Sequence, residues 1–318
     1  MTPHPFRLGF AVKVLGGGAI PSSDTRRWQS GPHLSRSLEL LAGVFDHLER
    51  SAISVYRMSS SLVPYGTHPD LPQLDYRRQI EECGDALAAA GARARSLGLR
   101  LSTHPGQYCV LNAVDEGVAA KAALDLDQDA LLLDAMGLGP EAVVVLHVGG
   151  RYGDPASALD RFSRRHEQLS QRARRRLVVE HDETSFSLVD VLEVHRRTGA
   201  RVVFDLHHHR CNPSDATLAD ACATWPAGVR PKAHLSSVRT ELRQVDGRLV
   251  APRLDQHADL VAPWDAAELL RSAPGPLDVM IEAKGKDLAV ERLRVQLARL
   301  YPDLAGAEER PDGRRAAA

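Results

Sequence analysis

Eight short apolar runs punctuate the 318-residue chain, at residues 7–12, 53–58, 99–104, 143–147, 177–180, 202–205, 231–236 and 277–282. Each has the length of a strand buried on both faces and is too short to be a helix of its own. Helical periodicity occupies intervals between them, at residues 34–50, 76–97, 119–136, 156–172, 188–197 and 266–272. Repeated βα units with eight strands favour a closed (β/α)8 TIM barrel, an α/β fold, over an open doubly wound sheet. Gly98, Gly137 and Gly199 stand between a helical stretch and the next strand, where a left-handed C-cap is needed. No linker divides the series, so residues 1–304 are expected to form a single barrel domain. After Tyr301 the chain is rich in Ala, Gly, Glu and Arg and has no apolar period, and residues 305–318 are expected to be a disordered C-terminal tail.

The chemistry lies in where the strands stop. Five of them run directly into His104, His147, Glu180, Asp205 and Glu282. In a TIM barrel the C-terminal strand ends meet at one rim, so residues far apart in sequence share one cup. His208 follows where the chain leaves the sixth strand, His234 lies on the seventh, and His257 sits in the long segment before the eighth. Any one of these histidines is as readily a satisfied polar group at a strand end as a ligand. Together they are harder to dismiss, because convergent carboxylates repel without a cation between them. Neutral imidazoles with anionic oxygens suit Zn, Mn or Fe, and eight donors exceed what one ion needs, which points to two or three. Lys232 precedes His234 by two residues and therefore faces the same way. Its amine would balance carboxylate charge, contact phosphate, or be carboxylated into an anionic ligand.

Composition sets outer bounds. No apolar run approaches the roughly 20 residues that span a bilayer, so no membrane association is expected. No basic region leads into a long apolar core at the start, so the cytosol is the expected compartment. Four scattered cysteines, Cys83, Cys109, Cys211 and Cys222, include no C-x-x-C pair and read as free thiols. A formal net charge of −1 gives no global support to nucleic-acid binding, although a cleft can be locally positive. The arginine-rich run between Arg161 and Arg176 reads as the solvated face of an outer helix.

The stretches RLGF (7–10), YRMSSSLVPYGTHP (56–69), LSTHPGQY (101–108), VLHVGG (145–150), VVEHDE (178–183), FDLHHHRCNP (204–213), KAHLSS (232–237) and DVMIEAKGK (278–286) resemble, in order, the UV-damage endonuclease family, a relative of endonuclease IV. The resemblance implies up to three ions, usually Mn2+ with Zn2+, Co2+ or Mg2+ as other occupants. Their ligands match His104, His147, Glu180, Asp205, His208, His234, His257 and Glu282, and Lys232 matches a lysine that can be carboxylated. Glu180, Lys232 and His234 are the implied catalytic residues. Gln107 and Tyr108 match a pair inserted into the duplex at the lesion; Arg57 and His68 match rim residues near phosphate. Phe10 stands among the lesion contacts, where a tyrosine is expected, and His181 where an asparagine is common. The implied partner is damaged double-stranded DNA, engaged by a monomer that hydrolyses the phosphodiester 5′ to UV photoproducts and leaves a 3′-hydroxyl. The residues also admit an apurinic-site endonuclease, a metal-dependent sugar isomerase or epimerase, and a catalytically silent damage-binding protein.

Overall fold

In the computed structural model, which describes residues 3–311, the eight runs close into a parallel barrel. Its strands are β1 (Phe6–Ala11), β2 (Val55–Arg57), β3 (Arg100–Thr103), β4 (Val143–His147), β5 (Leu177–Glu180), β6 (Arg201–Asp205) and β7 (Lys232–Leu235), closed by the last strand. A short antiparallel hairpin, β8 (Arg243–Val245) and β9 (Arg248–Val250), intervenes before that strand, β10 (Leu277–Ile281). The order β1-β10-β7-β6-β5-β4-β3-β2 is that of a (β/α)8 TIM barrel, as expected from the sequence.

Strand alternation sorts the side chains. Leu8, Phe10, Tyr56, Leu101, Val144, Leu146, Val179 and Phe204 join the apolar layer beneath the helices. Their alternates, including Ala11, Val55, Val143, Val145, Val178, Val203 and Met280, pack in smaller clusters inside the barrel. Gly9 belongs to this inner set, and a Cβ there would stand 1.7 Å from the Val55 carbonyl oxygen. The first barrel helix, Leu34–Arg50, shows how the outer layer forms. Leu34, Leu38, Leu41, Phe45 and Leu48 recur at three- and four-residue spacing and are all buried, at roughly 1.5–3 kcal/mol per side chain. Gly98, Gly137 and Gly199 have φ of 62°, 62° and 73°, the left-handed conformation anticipated for them.

The N-terminal end of the barrel is plugged by charge. Asp278 accepts from Arg7 at 2.6 and 2.5 Å and from Arg100 at 2.7 Å, while Arg100 and Arg201 lie over the Trp225 ring. Arg7, Arg100, Arg201 and Asp278 stand first or second on their strands, so the plug faces away from the strand ends that carry the histidines.

Three expectations change. The helical stretch 76–97 is two helices, Tyr76–Glu82 and Gly84–Ser96, and 156–172 is likewise divided into Pro155–Gln168 and Gln171–Arg176. At the second break Ser170 is extended and its side chain accepts from the Ala173 N–H, which starts a new helix. The arginine run is only partly a solvated face. Arg165 is buried and donates to the carbonyls of Leu111 and Ala113, and Arg176 to those of Leu138, Gly139 and Ala142. Residues 305–311, placed by the sequence in a disordered tail, dock on the barrel. The Phe6 N–H donates to Ala307, the Glu309 N–H donates to Phe6, and Glu308 pairs with Arg294. Backbone pairing and two ion pairs, Glu308 with Arg294 and Glu309 with Arg230, hold this segment, so it needs no apolar period. The rest of that expected tail, residues 312–318, lies outside the described residues. Among the described residues no helix is long and apolar enough to cross a membrane.

Candidate metal centre

Glu180 ends β5 at the centre of the barrel mouth and is almost completely buried. Its Oε1 lies 2.8 Å from His234 Nδ1 and 3.4 Å from His208 Nδ1; its Oε2 lies 3.3 Å from His104 Nε2 and 3.7 Å from His147 Nε2. His234 Nδ1 is also 3.1 Å from Glu282 Oε1. The ligand atoms form three overlapping triads: His104 with His147 and Glu180, Glu180 with His234 and Glu282, and Glu180 with Asp205 and His208. Glu180 belongs to all three. Seven of the eight donors singled out in the sequence are thus brought together. The eighth, His257, stands at the margin, its ring 6.0 Å from that of His208 and 5.0 Å from that of His207.

These residues fit a metal centre. Glu180 Oε2, Asp205 Oδ2, His147 Nδ1 and His234 Nε2 are buried polar atoms without a hydrogen-bond partner, which is costly unless something polar or cationic answers them. The donor set, imidazole nitrogens around carboxylate oxygens, is of the kind that takes Mn, Zn, Co or Fe.

The electrostatics differ from donor to donor: against burial, Asp205 and Glu180 push the His208 imidazole well above the ordinary histidine value. Burial opposes the charge on Glu180, but His234 and His147 outweigh it, and the close imidazoles of His104 and His208 help hold the carboxyl well below the usual range. Burial likewise works against Glu282, which Arg57 and His234 keep ionised. Burial drives His104 down to about 4, so its imidazole is neutral at physiological pH and retains a lone pair. Asp205 and His208 are set by their neighbour His181, whose Nε2 accepts the Asp205 N–H at 3.0 Å and whose carbonyl accepts from His208 Nδ1 at 3.0 Å. Burial pushes His181 to about 3, keeping it a neutral acceptor.

Lys232 faces the interior with His234, as alternation requires. It is 1% exposed and donates to Ser102 Oγ at 2.5 Å, one layer below the carboxylates. It forms no ion pair among the described residues and is shielded from the surface. Burial, reinforced by Arg100 and Arg57, pushes its ammonium far below the ordinary lysine range. Ser102 was not singled out in the sequence. Its position two residues before His104, on the inward-facing set, is the signal that would have found it.

The rim residues divide. Gln107 and Tyr108 project from the loop after β3, and Tyr108 is 83% exposed. His68 is exposed on the loop after β2, edge-on to Tyr65. Arg57 donates to Glu282 Oε1 at 2.7 Å and so orients a ligand carboxylate as much as it faces the rim. Phe10, expected among the lesion contacts, is instead fully buried on the helix side of β1, edge-on to Tyr56 and His47. Alternation sends it there: with Gly9 and Ala11 facing inward, residue 10 must face the helices.

Residues 34–308 match the family model described as UV-endonuclease UvdE. A UV DNA damage endonuclease of Bacillus velezensis is 33% identical over 281 residues, covering 84% of this chain and 80% of its own. A UV-damage endonuclease of Neurospora crassa is 32% identical over 263 residues, 77% of this chain and 38% of that longer protein. Among solved structures SacUVDE superposes with a TM-score of 0.76 at 27% identity over 93% of this chain and 99% of its own. Endonuclease IV of Thermus thermophilus shares the fold, with a TM-score of 0.58 at 16% identity over 92% of this chain and 99% of its own. The barrel, the ordered motifs on its strand ends and this match over most of the sequence lead to one conclusion: the chain belongs to the UV-endonuclease UvdE family.

Proposed function

We propose that this chain is a metal-dependent DNA repair endonuclease that hydrolyses the phosphodiester 5′ to UV photoproducts and leaves a 3′-hydroxyl. The observation that carries the reading is the convergence of three ligand triads on Glu180 at the barrel mouth, and the names of the relatives supply the substrate. His104, His147, Glu180, Asp205, His208, His234, His257 and Glu282 would hold two or three divalent ions, with Mn2+ the assigned occupant. When bound, such ions supply Lewis-acid stabilisation of charge on the phosphoryl oxygens and make water a nucleophile near neutral pH.

The protein's own share is positioning. Burial keeps His104 neutral, His181 fixes Asp205 and His208, and Arg57 fixes Glu282 while its remaining N–H groups can meet an incoming phosphate. Tyr108 and Gln107 stand clear of the surface with little packing to lose, so they can enter a duplex where damage has weakened stacking. Burial favours the neutral amine of Lys232, the form that can add carbon dioxide: the amine nitrogen would bond the carbon and lose a proton to water, leaving an anionic oxygen donor.

The test is a nicking assay on one duplex carrying a defined photoproduct and another carrying an abasic site, each with and without manganese. Manganese-dependent incision 5′ to the photoproduct, with ends that a polymerase extends, supports the reading. Cutting at the abasic site alone would transfer the chain to apurinic-site chemistry. Affinity for the lesion without turnover would make it a damage-binding protein.

A further inference from the structure

The hairpin β8–β9 stands exposed on the same rim as the metal centre. Its stem is the β-bridge between Val238 and His257, reinforced by Arg239 N–H to the Gln256 carbonyl at 2.7 Å and Ala258 N–H to the Ser237 carbonyl at 2.8 Å. The arm is therefore rooted at a candidate ligand. Asp246 and Gly247 both have positive φ, 48° and 76°, the two-residue turn whose twist matches a hairpin. All six strand residues are exposed, and Leu249 is 73% exposed. A two-stranded ribbon with neither face covered is marginal in water, and apolar exposure on this scale marks a binding surface.

The pattern on the ribbon indicates the partner. Arg243 is opposite Val250 and Val245 is opposite Arg248. Cross-strand neighbours share a face, so one face alternates guanidinium and isopropyl groups. Neither Arg243 nor Arg248 forms an ion pair among the described residues. From residue 239 to residue 253 there are four arginines against Glu241 and Asp246, an excess of positive charge in a chain whose net charge is −1. Arginines interleaved with compact apolar side chains suit a nucleic-acid groove, where the guanidinium groups reach phosphates and the apolar groups lie against sugars. An apolar protein partner would leave both guanidinium groups unanswered.

We propose that this arm is a clamp for the duplex flanking the cut, with Arg243 and Arg248 on phosphates and Val245 and Val250 against the sugar edge. The assignment rests on the DNA-cutting reading above. Eight residue steps lead from Val238 to Asp246, and at ~3.3 Å per residue the arm can reach at most ~26 Å from its stem. With each strand's phosphates spaced ~3.4 Å along the helix axis, the contact extends to at most about seven nucleotides on one side of the cut.

The test compares wild type, the Arg243→Ala/Arg248→Ala double variant, and a chain in which residues 242–251 are replaced by Gly-Gly-Ser, all nicking a photoproduct duplex. The side chains are exposed, so both variants are expected to melt within about 2 °C of wild type. Both should raise KM about tenfold near physiological salt with kcat retained. For the double variant the slope of log KM against log salt should fall by about 1.8, the loss of two phosphate contacts. A duplex trimmed to about four base pairs on the clamped side should cost the wild type the same factor and the variants nothing further. If wild type nicks but KM, salt slope and length dependence are the same in all three proteins, the clamp is wrong and the arm serves another partner. If wild type cuts no damaged duplex, the DNA reading itself falls and takes the clamp with it.

Discussion

Oε1 of Glu180 lies 2.8 Å from Nδ1 of His234, and neither side chain is more than 1% exposed. The contact ties the end of β5 to β7 across the barrel mouth and places one carboxylate within 4 Å of four imidazoles. Such an arrangement can hold a cation, and a neutral amide of the same shape cannot replace the carboxylate. Glu180→Gln should lower manganese affinity by roughly 100-fold or more, at the upper end of what outer-sphere changes alone produce. Titration of the free-ion electron paramagnetic resonance signal measures this directly, and nicking should be lost in parallel. Wild-type manganese binding in the variant would remove Glu180 from the centre.

Phe10 and Tyr108 should separate packing from recognition. Tyr108 is largely in solvent, so Tyr108→Ala should shift stability by no more than about 0.5 kcal/mol. It should nevertheless raise KM for lesion duplex at least tenfold. Phe10 is fully buried between Tyr56 and His47. Phe10→Tyr would force a hydroxyl into that space and cost roughly 1–3 kcal/mol by denaturant titration, with kcat and KM of the folded fraction unchanged. A change of lesion preference in Phe10→Tyr, at wild-type stability, would contradict this placement.

Much of this was legible because strand alternation and barrel topology are both periodic. A polar residue directly after an apolar strand has one place to go in a barrel, which is why His104, His147, Glu180, Asp205 and Glu282 could be named from the sequence. Contacts that do not repeat were illegible. The Lys232–Ser102 hydrogen bond joins β7 to β3 through the barrel interior, and no local pattern marks it. The hairpin was read only as a long segment, although Asp246-Gly247 between alternating residues was its signal. The docking of residues 305–311 rests on backbone hydrogen bonds and the Glu308–Arg294 and Glu309–Arg230 pairs, none of which leaves an apolar pattern. Phe10 was placed in the site by analogy, and the alternation of its own strand places it elsewhere.

Asp129 gives a pH-dependent term in stability. It is buried on the helix Glu116–Ala135, and burial pushes its carboxyl up to about 7. Between the unfolded value near 4 and about 7 the folded state binds the extra proton, so stability falls as pH rises through that window and levels off above it. Asp129→Asn removes the titrating group. Relative to wild type, the variant should be roughly 3 kcal/mol more favourable at pH 8 than at pH 4, as measured by urea denaturation at both values. An equal difference at the two pH values would show that Asp129 does not carry the term.

Asp278, at the opposite end of the barrel from the metal centre, tests whether the two ends are independent. Its buried carboxylate answers Arg7 and Arg100 directly, and Arg230 lies 3.6 Å away. Burial disfavours its charge, but Arg100 and Arg7 outweigh that and keep it ionised. Asp278→Asn would leave Arg100, 1% exposed, without its anion, and removing one partner of a buried pair costs roughly 3–5 kcal/mol. The variant should therefore unfold at markedly lower urea concentration. Its folded fraction should nick with wild-type kcat and bind manganese normally, because among the described residues the plug shares no hydrogen bond with the rim. If kcat falls in step with stability while the protein remains folded, the plug also sets the geometry of the strand ends, through the register that pairs Asp278 with Lys232 and Met280 with His234.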